Sequence, residues 1–589
     1  MNAKLKSARG WLSGGLLASL LAASAAKAQF PDSQLPDSSS SAIRSGGPEG
    51  EHSPTPESIP EGAPPGAPPE PEPGLVPEEL EAAGFRIGEI IIVNGDVFDT
   101  NLPEENNALF RLANRLHIET RPEIIRDQLL FKPGDRFSVR LMRESERLLR
   151  TNDYLFDAEV VPARARDGRV DMLVRTRDVW TLKPGINFGR SGGENTTGFS
   201  FEESNLLGRG KEFELTYTKD VDRNTRRIRY FDPHLIGTWN RLGLAYEDNS
   251  DGRLREFQFD RPFYSLESPW TAGIGTRDWD RIDSRYDLGE IVDKYRHIEE
   301  DFELFGGRST GLRNDWVRRF IYGVSYRFDR FEALADEPLA APLPGGRKLL
   351  YPFIGLEYLE DAFEERRNLD QIERTEDLYT GNYLRAQIGY AADEWGSDRD
   401  AWIIEAGAGT SFETEEREHT LLLQAEGGTR IESGALRNAV LTGHVRYYWR
   451  TAKRQLFYAA LSGTVSQSLD ADEQIQLGGD NGLRGYPLRY QDGSARALLT
   501  LEHRVYTKYY LFRLFHLGGA VFFDMGRTWG RGTVGQPTEG LLKDVGIGLR
   551  LGSSRSSFGN VIHVDLAFPL DGDDSIDDVQ LLVETKRSF

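Results

Sequence analysis

Val545-Gly546-Ile547-Gly548-Leu549-Arg550-Leu551, followed by Val561-Ile562-His563-Val564-Asp565-Leu566-Ala567-Phe568, decides the fold class. In the first stretch Val545, Ile547, Leu549 and Leu551 share one face of an extended strand, and Gly546, Gly548 and Arg550 share the other. In the second, Ile562, Val564, Leu566 and Phe568 oppose His563, Asp565 and Ala567. Strand side chains alternate between two faces, so a period of two with full charges on one face describes strands that are greasy on one side and wet on the other. The texture recurs where Leu421, Leu423 and Ala425 oppose Gln424 and Glu426, and where Ala497, Leu499, Leu501 and Val505 oppose Thr500, Glu502 and Arg504. From Leu182 to Phe589 there is no convincing long helix, and about twenty such segments follow one another.

Half-buried strands of a soluble sandwich alternate in the same way. Three features favour a closed antiparallel transmembrane barrel instead. About twenty strands exceed what one sandwich holds. Charged inner faces (Glu502, Arg504, Arg550, Asp565) suit a water-filled interior. Aromatics gather at segment ends, in Tyr447-Tyr448-Trp449 and Tyr506–Tyr510, like an interfacial girdle. The mean hydropathy of -0.50 is no objection, because only every second barrel residue faces lipid. At the C-terminus Val579, Leu581, Val583, Thr585, Arg587 and Phe589 fall on one face. A closing strand of this kind must pair with the first, since lipid cannot satisfy an open edge.

Upstream the chain changes character three times. Lys4, Lys6 and Arg9, the apolar stretch Trp11–Leu21 and Ala26-Lys27-Ala28 read as a secretory signal peptide over residues 1–28; the apolar core is too short for a membrane anchor. Residues 29–83, with Pro64-Pro65-Gly66-Ala67-Pro68-Pro69, read as a Pro-rich disordered linker. Residues 84–180 read as a small α+β domain of order β-α-α-β-β. Its first strand is Phe85–Val93, closed by Asn94-Gly95, and a helix is expected near Asn107–Leu116. Ile124, Ile125 and Leu129 mark one amphipathic helix; Leu141, Leu148 and Leu149 mark the next, with Ser138 as its cap. Strands Ala158–Ala165 and Val170–Arg177 flank Asp167-Gly168. The barrel takes residues 181–589.

The composition excludes several functions. Asp and Glu total 93 against 72 Lys and Arg, a net charge of -21, the wrong sign for nucleic acid. There is no cysteine, so disulfides, thiolate zinc sites, a cysteine nucleophile and a lipidated N-terminal cysteine are all excluded. Gly307-Arg308-Ser309-Thr310-Gly311 matches a nucleophile elbow, but no helix is expected after it. Asp571, Asp573, Asp574, Asp577 and Asp578 read as a solvated loop before the last strand rather than a calcium site. No enzyme activity, metal or cofactor is expected.

Asn481-Gly482-Leu483-Arg484-Gly485-Tyr486 resembles the (V/I/L)-R-G-(F/Y) signature of the BamA/TamA superfamily, and Phe522-Phe523-Asp524-Met525-Gly526 resembles its F-x-D-x-G strand. Glu203-Ser204-Asn205-Leu206-Leu207-Gly208-Arg209-Gly210 is similar to the family's E-x-N-L-x-G-x-G stretch, and Asp232-Pro233 to its D-P pair. Residues 84–180 look like the POTRA domain that precedes such barrels. The resemblance implies sixteen strands, whereas the alternation counts about twenty; some segments between Asp293 and Ala391 are therefore expected to be extracellular hairpins, and Asp361–Asn382 is long where a short periplasmic turn is due. It also implies that the surface loop folds into the lumen, where Arg484 meets Asp524 near Glu502. The residues suit that part: arginine offers a rigid fork for a carboxylate, Gly485 lets the chain turn tightly, Tyr486 adds an apolar body with a polar end, and Gly526 leaves room for the loop. A single POTRA domain departs from the general insertases of the family, which carry several.

The expected function is outer-membrane protein handling: insertion or export of polypeptides in the Gram-negative outer membrane. The expected partners are outer-membrane lipids and lipopolysaccharide, extended or unfolded client polypeptides, and periplasmic chaperones or accessory lipoproteins. A weak seam is expected between a short first strand near Gly185-Ile186-Asn187-Phe188-Gly189 and the last strand with Leu581, Val583 and Phe589. The alternatives are a dedicated secretion pore for one partner, and a passive porin or surface antigen.

Overall fold

The computed structural model describes residues 70–335, 339–532, 534, 540–556, 561–572 and 576–586. The expected signal peptide, the expected linker up to residue 69, and Phe589 lie outside the described residues.

The N-terminal unit runs α1 (Pro77–Ala82), β1 (Arg86–Gly95), α2 (Ala108–Leu116), α3 (Pro122–Arg126), α4 (Val139–Arg150), β2 (Leu155–Arg166) and β3 (Arg169–Asp178). β3 is the central strand, parallel to β1 and antiparallel to β2. Ile87, Ile90, Ile125, Leu149, Val160 and Met172 form its core. The ordered unit starts earlier than the expected linker end at residue 83. Leu80 of α1 enters the core, and the Glu72 amide donates to the Ala163 carbonyl at 2.9 Å, so residues 70–83 are packed rather than a spacer. Ser138 does occupy the N-cap position of α4, yet its hydroxyl makes no capping bond. The Glu81 carboxylate accepts from Val139 N–H at 3.3 Å instead, meeting the same need of an orphan helix-end donor.

The remainder closes into a barrel of twenty strands, from Leu182–Ser191 to Gln580–Lys586, with every neighbouring pair antiparallel. The sixteen strands implied by resemblance are exceeded: Glu290–Arg313, Trp316–Ala333, Arg347–Glu360 and Tyr383–Ala391 are all wall strands, each laddered to both neighbours. They are not extracellular hairpins. One hairpin between Asp293 and Ala391, Phe363–Arg367 with Thr375–Tyr379, stands outside the wall. It lies at the rim that carries the N-terminal unit, which is why the turn there is long.

Burial is inverted relative to a soluble core. Arg285, Arg319, Arg504 and Arg550 are among the largest fully buried side chains, while Phe320, Ile354, Val521 and Ile547 are exposed. Apolar side chains face outward and charges inward, the arrangement of a wall with lipid outside and water inside. The aromatic segment ends obey the same alternation, so they form only half of the expected girdle: Tyr448 and Tyr506 are buried, while Trp449 and Tyr509 are exposed. Gly307–Gly311 lies inside strand Glu290–Arg313 and forms no strand-to-helix turn.

The first strand is longer than expected, laddered to the second from Leu182 to Ser191. Its other edge faces the last strand, whose residues 587–589 lie outside the described residues. Among the described residues, first and last strands share one partner pair, Val583 with Arg190. Pro184, which has no N–H to donate, lies in the first strand.

Candidate functional site

Strand Gln455–Gln467 runs away from the N-terminal unit, and strand Ala495–Leu511 returns toward it. The connection, residues 468–494, therefore starts at the far rim. It turns back into the barrel, braced by a short antiparallel ladder between Ile475–Leu477 and Gln491–Gly493.

Its tip is fixed by charge. Arg484 is 5% exposed and grips Asp524 with two prongs, Nε to Oδ2 at 2.7 Å and Nη2 to Oδ1 at 3.1 Å. Its Nη1 donates to Glu502 at 3.2 Å and Asp565 at 3.0 Å. The guanidinium also lies 3.4 Å from the centre of the Phe522 ring, where the ring face attracts a cation. Three wall strands thus converge on one loop side chain. A fork-to-carboxylate pair shielded from bulk water is directional and stronger than a neutral hydrogen bond, so the tip has one preferred seat.

The neighbours of Arg484 complete the seat. Leu483 is fully buried in a cluster with Leu477, Tyr486, Tyr490, Leu542 and Ile576. The single Tyr486 hydroxyl proton has the carbonyls of Lys543 and Asp571 within reach, at 2.8 and 3.0 Å. Gly485 lies in a turn, as expected, without a left-handed φ. It is required for close approach: a Cβ there would stand 2.7 Å from Asp544 Cβ and 3.1 Å from Pro569 N, and its amide donates to Asp544 at 3.0 Å. Gly526 makes the room expected of it, since a Cβ would meet Leu477 of the loop at 2.8 Å.

The loop also straddles the seam. Ser191, at the end of the first strand, donates to the Gly479 carbonyl at 2.7 Å, while Tyr486 holds Asp571 in the connection that leads to the last strand. The seam residues themselves are less engaged. Phe188 and Leu581 are exposed on the outer wall, and Val583 pairs with Arg190. The side chain of Ile186 lies outside the described residues.

A second insert meets this network from the opposite rim. Arg504 donates to Glu502 at 3.1 Å and to the Leu369 carbonyl at 2.7 Å, and Tyr448 donates to Asp370 at 3.2 Å. Leu369 and Asp370 tip the hairpin connection 361–382. Its strands are docked on α4 and β2: Arg150 of α4 donates to Asp377 at 3.0 Å, and Thr375 donates to Asp157 of β2 at 2.9 Å. Arg550 adds another link, donating to Asp565 and, at 3.2 Å, to Glu502. Alternation marked Arg504, Arg550 and Asp565 as inward charges. Nothing local pointed to Asp370, Asp544 or Ser191, because their partners are remote in sequence.

No family model matches the chain, and a search of curated proteins finds no match. Among solved structures, CdiB from Escherichia coli is 12% identical over 85% of this chain and 76% of that chain, with a TM-score of 0.43. CdiB from Acinetobacter baumannii is 12% identical over 85% of this chain and 73% of that chain, at 0.41. BamA from Haemophilus ducreyi lacking POTRA domains 1–3 is 12% identical over 84% of each chain, at 0.36.

Proposed function

We propose that this chain is a Gram-negative outer-membrane barrel of the BamA/TamA kind that inserts or exports polypeptides, with residues 70–180 serving as its periplasmic POTRA domain. The observation that carries the reading is the seam: among the described residues one partner pair joins first and last strands, whereas Trp270–Asp287 is laddered to Glu290–Arg308 along its whole length. A short ladder is the cheapest place to open a barrel, and an opened edge can template an incoming strand by backbone hydrogen bonds. The exposed apolar wall supports contact with membrane lipid and, at the outer surface, lipopolysaccharide. Chaperones or accessory lipoproteins would deliver the client to the periplasmic domain. A passive porin fits less well with a lumen crossed by Arg484 from one side and Leu369-Asp370 from the other.

The test exploits the absence of native cysteine. Arg190→Cys with Val583→Cys, oxidised, is expected to abolish function, and reduction to restore it; normal function of the locked barrel would refute gating at this seam. Depletion of the chain followed by a survey of the outer-membrane proteome identifies the client class. Broad loss of barrels supports insertion, loss of one secreted product supports a dedicated exporter, and no loss refutes polypeptide handling.

A further inference from the structure

The outer face of α2 is uncovered among the described residues. Leu109 is 68% exposed, Leu112 49% and Leu116 63%, and Ile118 just beyond is 49% exposed. These residues follow helical spacing and form one stripe. The helix is not waiting for its own domain, because its opposite face is already engaged. Phe110 stacks on Phe98 at 4.0 Å and packs with Val97, Trp180 and Leu514, and Asn114 bonds both the amide and the carbonyl of Phe98.

The anchoring contacts place α2 along the barrel rim beneath the seam. On one side Arg555, in the turn after strand Leu542–Ser553, donates to the Val97 carbonyl at 2.7 Å. On the other, Asn205, in the turn between second and third strands, donates to Thr120 at 2.7 Å. The stripe continues onto the wall. Arg121 holds the Leu207 carbonyl at 3.2 Å; Leu207 and, in the corresponding next turn on this rim, Ile236 are 57% and 88% exposed, both in the left-handed region at φ 59° and 55°. Phe201 and Leu215, on the strands that flank the Leu207 turn, are exposed on the outer wall. One flank of the stripe carries Arg111 and Arg115, both exposed and one turn apart, and α2 holds no acidic residue in a chain of net charge -21.

We propose that α2 is an interfacial helix that seats its leucine stripe in the periplasmic leaflet at the foot of the seam, with Arg111 and Arg115 on anionic phospholipid headgroups. The inference rests on the membrane reading given above. Apolar side chains sink to the acyl boundary while flanking guanidinium groups hold phosphate, so the helix would fix the height of the N-terminal domain beneath the seam.

Full-length chain carrying one nitroxide-labelled cysteine, in phosphatidylethanolamine/phosphatidylglycerol vesicles, tests this. Labels at Leu112→Cys and Leu116→Cys should be relaxed by oxygen and shielded from a soluble nickel chelate, as at the wall position Leu215→Cys; Glu123→Cys should show the reverse. If positions 112 and 116 behave like 123 while 215 stays shielded, the interfacial helix is refuted and the membrane barrel stands. If 215 is itself open to nickel, the barrel reading falls and the proposal with it. Shielding that appears only on adding an unfolded polypeptide assigns the face to a client and overturns the proposal. Arg111→Gln with Arg115→Gln should lower the shielding at 112 in these vesicles and leave it unchanged in phosphatidylcholine; equal shielding in both would overturn the anionic-headgroup contact.

Discussion

Arg484, at the tip of a loop that begins at one rim, and Asp524, in the middle of a wall strand, form a two-pronged ion pair at 2.7 and 3.1 Å. The pair is buried, and Glu502 and Asp565 share the same guanidinium. Removing the cation takes the fork from Asp524, while Glu502 keeps Arg504 and Arg550, and Asp565 keeps Arg550. Arg484→Ala is therefore expected to cost about 3–5 kcal/mol, the usual penalty for breaking a buried pair from one side. Arg484→Lys keeps the charge but loses the fork, and should fall between wild type and alanine. Denaturant unfolding in micelles, with limited proteolysis across residues 468–494, reads both; an unchanged loop in Arg484→Ala would show that the pair does not hold it.

Gly485→Ala tests close approach without touching charge. The added methyl meets Asp544 and the backbone of Pro569, and overpacking of this size costs about 1–3 kcal/mol. The loop should become protease-sensitive while the wall keeps its strand content. A variant as resistant as wild type would mean that Asp544 can move aside.

The docking of the N-terminal unit on the 361–382 connection should depend on pH. Burial pushes the Glu146 carboxyl up to about 7 against the lowering pull of Arg150, and pushes Asp377 up to about 7 against the same arginine. Glu365 raises both carboxyls further, whereas Arg147 favours the charged form of Asp377. Both carboxyls hold protons more tightly docked than free, so docking is strongest below their ordinary carboxylate range and weakens as pH rises through about 7. Fluorescence transfer between labels on α4 and on the hairpin should fall between pH 5 and pH 8, and Glu146→Gln should flatten the change. A rise in transfer with pH would refute it.

Hydrogen exchange should resolve the seam. Amides of Ile186–Arg190 and Leu581–Val583 are expected to exchange much faster than those of Phe302–Leu304, which sit between two full ladders. Equal protection would show that first and last strands pair as firmly as the rest of the wall.

Leu369 and Asp370 occupy the lumen through Arg504 and Tyr506. Replacing residues 367–374 with a Gly-Ser turn is expected to raise pore conductance in planar bilayers several-fold. Unchanged conductance would place the main obstruction at the Arg484 loop.

Much of this architecture was legible one residue at a time. Val545, Ile547 and Leu549 alternate with Gly546, Gly548 and Arg550, and the structure places the first set outside and Arg550 inside. Period-two patterning is a local property of an extended chain, so it survives without tertiary knowledge. The helices near Asn107 and after Ser138 were legible for the same reason, and Asn107 caps as its side chain allows. The inward faces of Glu502 and Arg504 could be read, but not that they link a surface loop to a hairpin on the opposite rim.

The sequence by itself determined the class of object: strands of period two, charges on one face, and an α+β unit ahead of them. Tertiary structure alone decided that all of the roughly twenty alternating segments are wall strands of one closed barrel, that Asp361–Asn382 reaches from α4 to Arg504, that Glu81 caps a helix in place of Ser138, and that first and last strands share one partner pair among the described residues. The physical reason is range. Alternation and capping preferences act over a few residues, whereas closure, the partners of a buried charge and the strength of a seam depend on residues brought together from hundreds of positions apart.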